Sequence, residues 1–404
     1  MSATGQTSEF PFRPIVLLSL AVFVTVTAEF MPTGLLPQIA EGLAVTEAQV
    51  GLLVTIFAAT VVVTAMALSI LTRRFSRKSL VITALLVMAV SNIMAAVAPS
   101  FAVIVGARIL GGLSHGLFFA LANAYAAYLV PRERLGRAVA ILTAGGTMAF
   151  VMGVPLGTAM GNAFGWRLAF VALAIIIAVL AVALMVALPG VSREVALSTG
   201  EITLPMRRDP SLVWVIVASV IVILVLAGQN TFYVYIAPYL IDAVGFAAPT
   251  VAFILFVYGA AGAIGVIVAG IVGDRFPRGG LVVMVTIAAM SMGALALTSS
   301  STVAVVALVV IWAAAFGGIP ALLQLRLLRA ASVRLRDFAS AMLVTAFNLG
   351  IGGGALIGAL LYDVSGVRAL ALVGAGGFVL AVILALVANL LEARRESLVN
   401  SEQA

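Results

Sequence analysis

The stretch GVPLGTAMGNAFGWR at residues 153–167 recurs in altered form as GALIGALLYDVSGVR at residues 354–368. The two stretches align at an offset of 201 residues, with three glycines and the closing arginine in register. The same offset places RRFSR (73–77) on DRFPR (274–278). Because one offset fits both apolar segments and polar loops, the chain is predicted to contain two copies of one unit.

The composition places both copies in a membrane. Of the 404 residues, 64% are hydrophobic and only 9% are charged, a balance that excludes an ordinary soluble domain. Apolar segments of about 20 residues recur, and each is long enough to cross about 30 Å of hydrocarbon. The segments are continuously apolar rather than alternating, which favours helices over a β-barrel. The absence of cysteine excludes disulfides and thiolate sites.

Twelve segments are predicted to cross the membrane, giving an all-α polytopic fold of two pseudo-symmetric six-helix bundles. The predicted domains are residues 1–190 and 212–404, joined by a polar link at 191–211. In parallel repeats of this kind the substrate binds near the midplane between the halves. The predicted spans cover residues 14–36, 47–71, 79–98, 101–129, 137–161, 167–189, 212–238, 248–272, 280–299, 302–325, 338–361 and 367–391.

The distribution of positive charge predicts the orientation of the chain. Of the 22 lysines and arginines, 19 fall on one side of the twelve-span arrangement. Arg167 and Arg368 fall on the other side, and Arg108 lies inside a span. Cytoplasmic loops carry an excess of these residues, so both termini are predicted to be cytoplasmic. The net charge of +7 therefore reflects topology, and nucleic acid is not an expected partner.

The segment GIVGDRFPR (270–278) after span 8 matches the loop signature Gly-x-x-x-Asp-Arg-x-x-Arg of the major facilitator superfamily. The chain resembles that family over residues 14–391. The first copy of the loop, SILTRRFSRK (69–78), departs from the signature, because Ser69 replaces the glycine and Arg73 replaces the acid. The resemblance implies a charge contact between the second loop and the end of span 11 that stabilises the outward-open state. The implied gating residues are Asp274, Arg275 and Arg278.

Several stretches in the first half resemble exporting members of the family. RILGGLSHG (108–116) resembles the buried-arginine motif of proton-coupled members, and GGTMAFVMGVPLGTAMG (145–161) resembles the glycine and proline motif of antiporters. TAEFMPTGLLPQIA (27–40), SHGLFFA (114–120) and GWRLAF (165–170) are similar to bacterial drug–proton antiporters of the sugar, nucleoside and chloramphenicol efflux branch. The resemblance implies a proton-coupled antiporter of the bacterial cytoplasmic membrane that exports a small neutral or lipophilic molecule.

The glycines of span 5 recur at steps of three or four residues and share one face. Small residues there let a neighbouring helix approach closely, and Pro155 removes a helix hydrogen bond and permits a bend. We expect this face to contact span 8 tightly and seal the outer side, with ordinary small-residue packing as the alternative. The predicted gating residues of span 5 are Gly145, Gly153, Pro155, Gly157 and Gly161.

Glu29 is the one acidic residue that falls well inside a predicted span. At 1.5 Å per residue it lies about 22 Å into span 1, and Arg108 lies about 10 Å into span 4 from the opposite side. The two residues therefore share a depth. His115, the single histidine, lies on nearly the same face as Arg108 and closer to the midplane. We predict that Glu29, Arg108 and His115 handle the exchanged proton; a static ion pair or an interhelical hydrogen bond is the structural alternative.

The second copy lacks these charges, since Asn230, Val309 and Phe316 stand at the equivalent positions. Its polar and aromatic residues are therefore expected to contact the substrate. Flexible methionines and aromatic residues in the first half suit a pocket that accepts varied apolar molecules. The predicted substrate contacts are Phe30, Met31, His115, Phe119, Asn123, Met148, Met152, Gln229, Asn230, Tyr233, Phe316 and Asn348.

Two alternatives remain open from the sequence: a proton-independent facilitator or importer of a small solute, and a non-transporting membrane receptor. With no cysteine, one histidine and no acidic pair, neither a catalytic dyad nor a metal site can be assembled, so the chain is not expected to be an enzyme. The glycine runs follow no strand, so no nucleotide cofactor is expected. The expected partners are a small-molecule substrate, protons and the lipid bilayer, and the expected oligomeric state is a monomer.

Overall fold

A computed structural model describes residues 11–72, 75–130, 134–189, 209, 211–276, 279–298, 301–332 and 335–402, apart from some side chains within these ranges. The described chain is almost entirely helical. The first half contains α1 (Phe12–Gly34), α2 (Leu36–Leu43), α3 (Glu47–Leu71), α4 (Arg77–Ala96), α5 (Phe101–Leu129), α6 (Leu135–Met148), α7 (Val154–Phe164) and α8 (Trp166–Ala187). The second half contains α9 (Leu212–Tyr233), α10 (Ile236–Pro238), α11 (Ala248–Arg275), α12 (Gly279–Leu297), α13 (Thr302–Ala330) and α14 (Arg336–Glu402).

Eleven helical stretches of the described chain are long and apolar enough to cross a bilayer. The last of them, Phe338–Arg394, has 57 residues and is interrupted by the non-helical backbone of Gly366, so it contains two spans. The predicted all-α fold with twelve spans is confirmed. An even number of crossings brings both chain ends to one side of the membrane, which we call the near side; the opposite side is the far side. Most of the predicted link at 191–211 lies outside the described residues.

The internal repeat is visible in the bounds of the helices. The helices α5 and α13 both begin and end 201 residues apart, and α6 and α14 begin 201 residues apart. Gly165 and Gly366 occupy the corresponding turns between the last two spans of each half, with φ of +90° and +72°. Glycine adopts this region without steric cost, which explains why the quoted stretches keep a glycine at this place.

Prolines interrupt two helices of the first half. Pro32 has no backbone N–H, so the carbonyl of Ala28 lacks its helical partner, and the chain breaks between α1 and α2 shortly afterwards. In span 5 the N–H of Val154 bonds to the carbonyl of Ala149, five residues earlier, within a π-helical segment, Ala149–Gly153, that precedes Pro155. Span 1 and span 5 are therefore bent at the depth where the predicted site residues lie.

The two halves meet through two pairs of helices: α3 packs against α14, and α7 with the adjoining π-helical segment packs against α11. Toward the far side, described residues of the two halves are joined by hydrogen bonds from Tyr362 to Glu47, from Thr55 to the carbonyl of Gly352 at 3.0 Å, and from Asn162 to the carbonyl of Ala248 at 2.8 Å. These bonds hold the far side closed.

Candidate functional site

Arg108 of α5 is buried and reaches across to the backbone of α1. Its Nη1 donates to the carbonyl of Ala28 at 2.8 Å, its Nη2 to the carbonyl of Glu29 at 2.7 Å, and its Nε to the carbonyl of Leu53 in α3 at 3.3 Å. The carbonyl of Ala28 is the one that Pro32 leaves without a helical partner. The guanidinium thus satisfies the broken helix and ties span 4 to spans 1 and 2.

The carboxylate of Glu29 lies beside His115, with 3.7 Å between Glu29 Oε2 and His115 Nε2. Both side chains are buried, at 5% and 6% exposure. The structure therefore brings together all three residues predicted to handle the proton. It also assigns them different contacts: His115 faces the carboxylate, whereas Arg108 holds the backbone carbonyl of the same glutamate.

Aromatic rings fix the position of His115. Its ring stacks on Phe119, with centroids 4.4 Å apart, and meets Phe57 edge-on at 5.2 Å. Phe57 also lies beneath the guanidinium of Arg108, with 4.2 Å from the guanidinium carbon to the ring centroid. The Nδ1 atom of His115 is buried without a hydrogen-bond partner among the described residues. One ring nitrogen thus faces Glu29 and the other has no partner.

An aromatic cluster joins the two halves, and one of its members, Phe30, directly follows Glu29 in α1. Phe30 and Phe150 of the first half have ring centroids 4.9 Å apart, and Tyr233 of the second half lies 6.4 Å from Phe30 and 6.1 Å from Phe150. Behind Tyr233 stand Tyr258 at 4.9 Å and Trp312 at 6.1 Å. We call these five residues the central cluster. It provides an apolar surface next to the buried carboxylate.

The sequence did not identify three members of the central cluster. Phe150 lies within the quoted motif of span 5, whose glycines and proline predict helix packing and a bend but not the position of this ring. Tyr258 and Trp312 carry no pattern of their own, and at the repeat offset they stand where the first half has Phe57 and Gly111. Only the crossing of spans 7, 8 and 10 brings them together.

Gln229, a predicted substrate contact, is buried behind the central cluster. Its Nε2 donates to the hydroxyl of Tyr258 at 2.7 Å, and its Oε1 accepts from Trp312 Nε1 at 2.9 Å. Both polar atoms of the amide are therefore engaged within the second half. Gln229 holds spans 7, 8 and 10 at fixed positions and supports the rings that face the first half.

Other predicted substrate contacts have different neighbours. The ring of Phe316 packs against Phe378 of span 12, with centroids 6.4 Å apart. Met148 and Met152 are 39% and 43% exposed, while Ala149 between them is buried. Met31 is buried in α1 facing the glycines of span 5. The side chain of Asn123 lies outside the described part of the structure. These positions are outside the central cluster.

The glycine face of span 5 packs against span 1, so the predicted partner, span 8, is wrong for these residues. A Cβ at Gly145 would overlap the carbonyl of Ser19, and one at Gly153 would overlap the hydroxyl of Thr27. Gly157 and Gly161 face α1 and the start of α2 in the same way, and Pro155 is buried among them. A stripe of glycines shows that some helix approaches closely, but not which helix.

Span 8 contacts span 5 from a different direction. Gly259 of α11 lies against the backbone of Phe150 and Val151, where a side chain on Gly259 would overlap main-chain atoms. The close approach between the halves therefore depends on a glycine of span 8. Of the predicted loop residues after span 8, Arg275 is exposed at the end of α11, while Arg278 and the side chain of Asp274 lie outside the described residues.

The chain matches the family model of the Major Facilitator Superfamily over residues 18–324 and 218–404. The chain belongs to the major facilitator superfamily. The chain is 33% identical over 379 residues to a chloramphenicol efflux pump of Mycobacterium tuberculosis, with 90% of each chain covered. It is also 33% identical over 384 residues to an uncharacterized transporter of the same family from Bacillus subtilis, with 94% and 96% covered.

Several solved structures share the fold of this chain. A bacterial homologue of the human lysosomal transporter Spinster, in an inward-facing and occupied conformation, gives a TM-score of 0.79 at 16% identity, with 95% of this chain and 98% of that chain covered. A D-xylose–proton symporter gives a TM-score of 0.79 at 16% identity, with 93% and 97% covered. The family and fold predicted from the sequence are thereby confirmed.

Proposed function

We propose that this protein exports a small neutral or lipophilic molecule in exchange for protons, with Glu29 as the exchanging group. The observation that carries the proposal is a buried carboxylate 3.7 Å from His115, on the helix whose next residue, Phe30, belongs to the central cluster. Among the described residues, Glu29 is the one buried acid. A buried ionisable group inside a membrane is unfavourable unless it has a function or a partner. We expect the protonation state of Glu29 to affect the binding of a substrate to the central cluster.

The geometry supports exchange by alternating access. In the conformation closed at the far side, Glu29 releases its proton toward the near side, and the substrate occupies the adjoining central cluster. After the halves rearrange, protonation of Glu29 from the far side favours departure of the substrate. A membrane potential of 100 mV supplies about 2.3 kcal/mol per charge, and each pH unit adds about 1.4 kcal/mol. One carboxyl is therefore sufficient to drive uphill export.

The near side is assigned to the cytoplasm, because the loops on that side carry most of the lysines and arginines. The proposed location is therefore a bacterial cytoplasmic membrane with both termini in the cytoplasm, and the proposed oligomeric state is a monomer. Since a relative with 33% identity is named a chloramphenicol efflux pump, amphenicols are the first substrates to test. Sugars and nucleosides remain the other candidates.

Everted vesicles from a pump-deficient bacterium that expresses the chain test the proposal. With an imposed gradient that makes the vesicle lumen acidic relative to the medium, they should accumulate labelled chloramphenicol as protons leave, and dissipating the gradient should abolish the accumulation. Glu29→Gln should abolish accumulation while exchange of substrate down its own gradient continues. Glu41→Gln, which changes an exposed acid of α2, serves as the matched control.

Accumulation by the Glu29→Gln protein at the rate of the unchanged chain would refute the assignment of Glu29. Uptake into right-side-out vesicles, driven by the proton gradient, would instead show an importer. Equilibration without dependence on the gradient would show a facilitator that uses no protons.

A further inference from the structure

Two buried asparagines of the second half leave an acceptor atom without a partner. Asn230 of α9 donates its Nδ2 to the carbonyl of Leu226 at 2.9 Å, and Asn348 of α14 donates its Nδ2 to the carbonyl of Val344 at 3.0 Å. The Oδ1 atoms of both asparagines are buried and have no hydrogen-bond partner among the described residues. Buried polar atoms are nearly always paired, so each unpaired atom needs an explanation.

The orientation of both amides is fixed by the same local bond. In each case the NH2 group is held by the carbonyl one helical turn earlier. Rotating the amide to satisfy its oxygen would break this bond. The two oxygens are therefore preorganised acceptors.

Both asparagines lie on the surface that the second half turns toward the first. Asn230 is three residues before Tyr233, so it shares that side of α9, and Tyr233 contacts Phe30 of the first half. Asn348 is one turn before Gly352, whose carbonyl accepts a hydrogen bond from α3 of the first half. The two asparagines thus lie on helix faces that also carry contacts with the first half.

Neighbouring donors on the same surface are already engaged. The amide of Gln229 and the indole N–H of Trp312 are used within the network behind the central cluster. The second half also carries no charge at the positions equivalent to Glu29 and Arg108, where it has Asn230 and Val309. What it offers a ligand is therefore a neutral surface with two acceptors and aromatic rings.

We propose that the exported molecule is a neutral aromatic compound with at least two hydroxyl or amide N–H donors, which bind Asn230 Oδ1 and Asn348 Oδ1. Its ring packs on Phe30 and Tyr233 of the central cluster. This proposal rests on the proposed export function and names its substrate class. Amphenicols fit this description, because each has a substituted phenyl ring, an amide N–H and at least one hydroxyl. A purely hydrocarbon compound does not fit.

Thiamphenicol and florfenicol provide a matched pair of probes, since they differ only by a hydroxyl replaced by fluorine. Their equilibrium binding to the purified full chain in lipid nanodiscs, without a proton gradient, tests the proposal. The unchanged protein should bind thiamphenicol about fivefold more tightly than florfenicol, the effect of about one neutral hydrogen bond. Asn230→Leu or Asn348→Leu, whichever removes the acceptor of that hydroxyl, should reduce the ratio to about one by weakening thiamphenicol alone.

Asn92→Leu is the matched control, because Asn92 makes the same bond to its own helix, from Nδ2 to the carbonyl of Met88 at 2.8 Å, but lies in span 3. It should keep the fivefold ratio. Unchanged florfenicol binding shows that a variant is folded. A ratio near one in the unchanged protein, a fivefold ratio in both Asn230→Leu and Asn348→Leu, or no binding of either drug would overturn the proposed substrate class.

The proposed proton exchange is judged separately by Glu29→Gln. That variant should keep the wild-type binding ratio in nanodiscs while it loses accumulation in vesicles. Proton-driven export of an unrelated solute, with no amphenicol binding, would overturn the substrate class and leave the exchange mechanism intact.

Discussion

Arg108 and Pro32 form a pair whose dependence on each other can be measured. Arg108→Met removes the three N–H donors that bind the carbonyls of Ala28, Glu29 and Leu53. Pro32→Ala restores a backbone N–H that can bond to the carbonyl of Ala28 within the helix. The loss of the guanidinium should therefore matter less once the proline has been replaced. The second half supports this expectation, since it has neither residue: Tyr233 and Val309 stand at the equivalent positions.

The size of the effect follows from the hydrogen bonds. A bond from a charged donor contributes about 1.5–3 kcal/mol, and an unpaired buried carbonyl costs about 1–3 kcal/mol. Removing the guanidinium should lower the free energy of unfolding by about 4 kcal/mol, since several such bonds are lost together. In the Pro32→Ala background, the carbonyl of Ala28 has a backbone partner, so the loss should fall by about 1–2 kcal/mol.

The measurement is a double-mutant cycle on the purified chain, with unfolding in mixed detergent micelles followed by tryptophan fluorescence. Independent effects, with a coupling below about 0.3 kcal/mol, would refute the role of Arg108 as the partner of the broken helix. Arg108→Lys separates charge from geometry, because it keeps the positive charge but cannot donate to several carbonyls in a planar fork. It should retain most of the destabilisation; full rescue by lysine would show that only the charge beside Glu29 matters.

Two further predictions concern the contacts that close the molecule. Gly153→Ala should lower the free energy of unfolding by about 1–3 kcal/mol, because the added Cβ would overlap α1. Gly376→Ala is the control, since Gly376 has open space around it, and it should raise the free energy of unfolding by about 0.5–1 kcal/mol. Equal effects of the two substitutions would contradict the packing of span 5 on span 1. Tyr362→Phe removes the far-side bond to Glu47 and should increase the population open to that side about fivefold. The chain has no cysteine, so a single Ala58→Cys substitution at the contact with span 11 can report this opening through its rate of reaction with an impermeant maleimide. An equal rate of labelling with and without Tyr362→Phe would contradict the role of the Tyr362–Glu47 bond in closing the far side.

The architecture could be predicted from the sequence because the bilayer restricts what a chain can do. A spanning segment must satisfy its backbone internally, so hydropathy locates helices, and one repeat offset relates the two halves. The depth of Glu29 and Arg108 could also be estimated, since the rise per residue is constant. The structure places both at one level, in contact through the carbonyl of Glu29.

The direction in which a side chain points around the membrane axis could not be predicted in the same way. Equal depth left open whether Arg108 pairs with the carboxylate of Glu29, and in the structure the guanidinium binds the carbonyls of Ala28 and Glu29. The glycines of span 5 were assigned to span 8 for the same reason, although they face span 1. Both points concern rotation about a helix and the choice of neighbour, which depend on how all the helices pack.

The two halves make different interactions at the same level, and this difference bears on the proposed proton exchange in the first half. In the first half, spans 1, 2 and 4 are tied together by Arg108, whose guanidinium lies over Phe57. In the second half, spans 7, 8 and 10 are tied together by Gln229 with Tyr258 and Trp312, and Tyr258 is the repeat counterpart of Phe57.

Both halves therefore connect the same three helices at the same place, but only the first connection carries a charge. We infer that a positive charge is tolerated there because the proline break exposes carbonyl oxygens that need donors. The positive charge in turn stabilises the buried glutamate beside it. The second half has Tyr233 in place of the proline, so a backbone N–H is retained there although α9 also ends at this residue, and its connection between the helices is neutral. The proposed division between a proton site and a substrate surface therefore coincides with the position of one proline, Pro32.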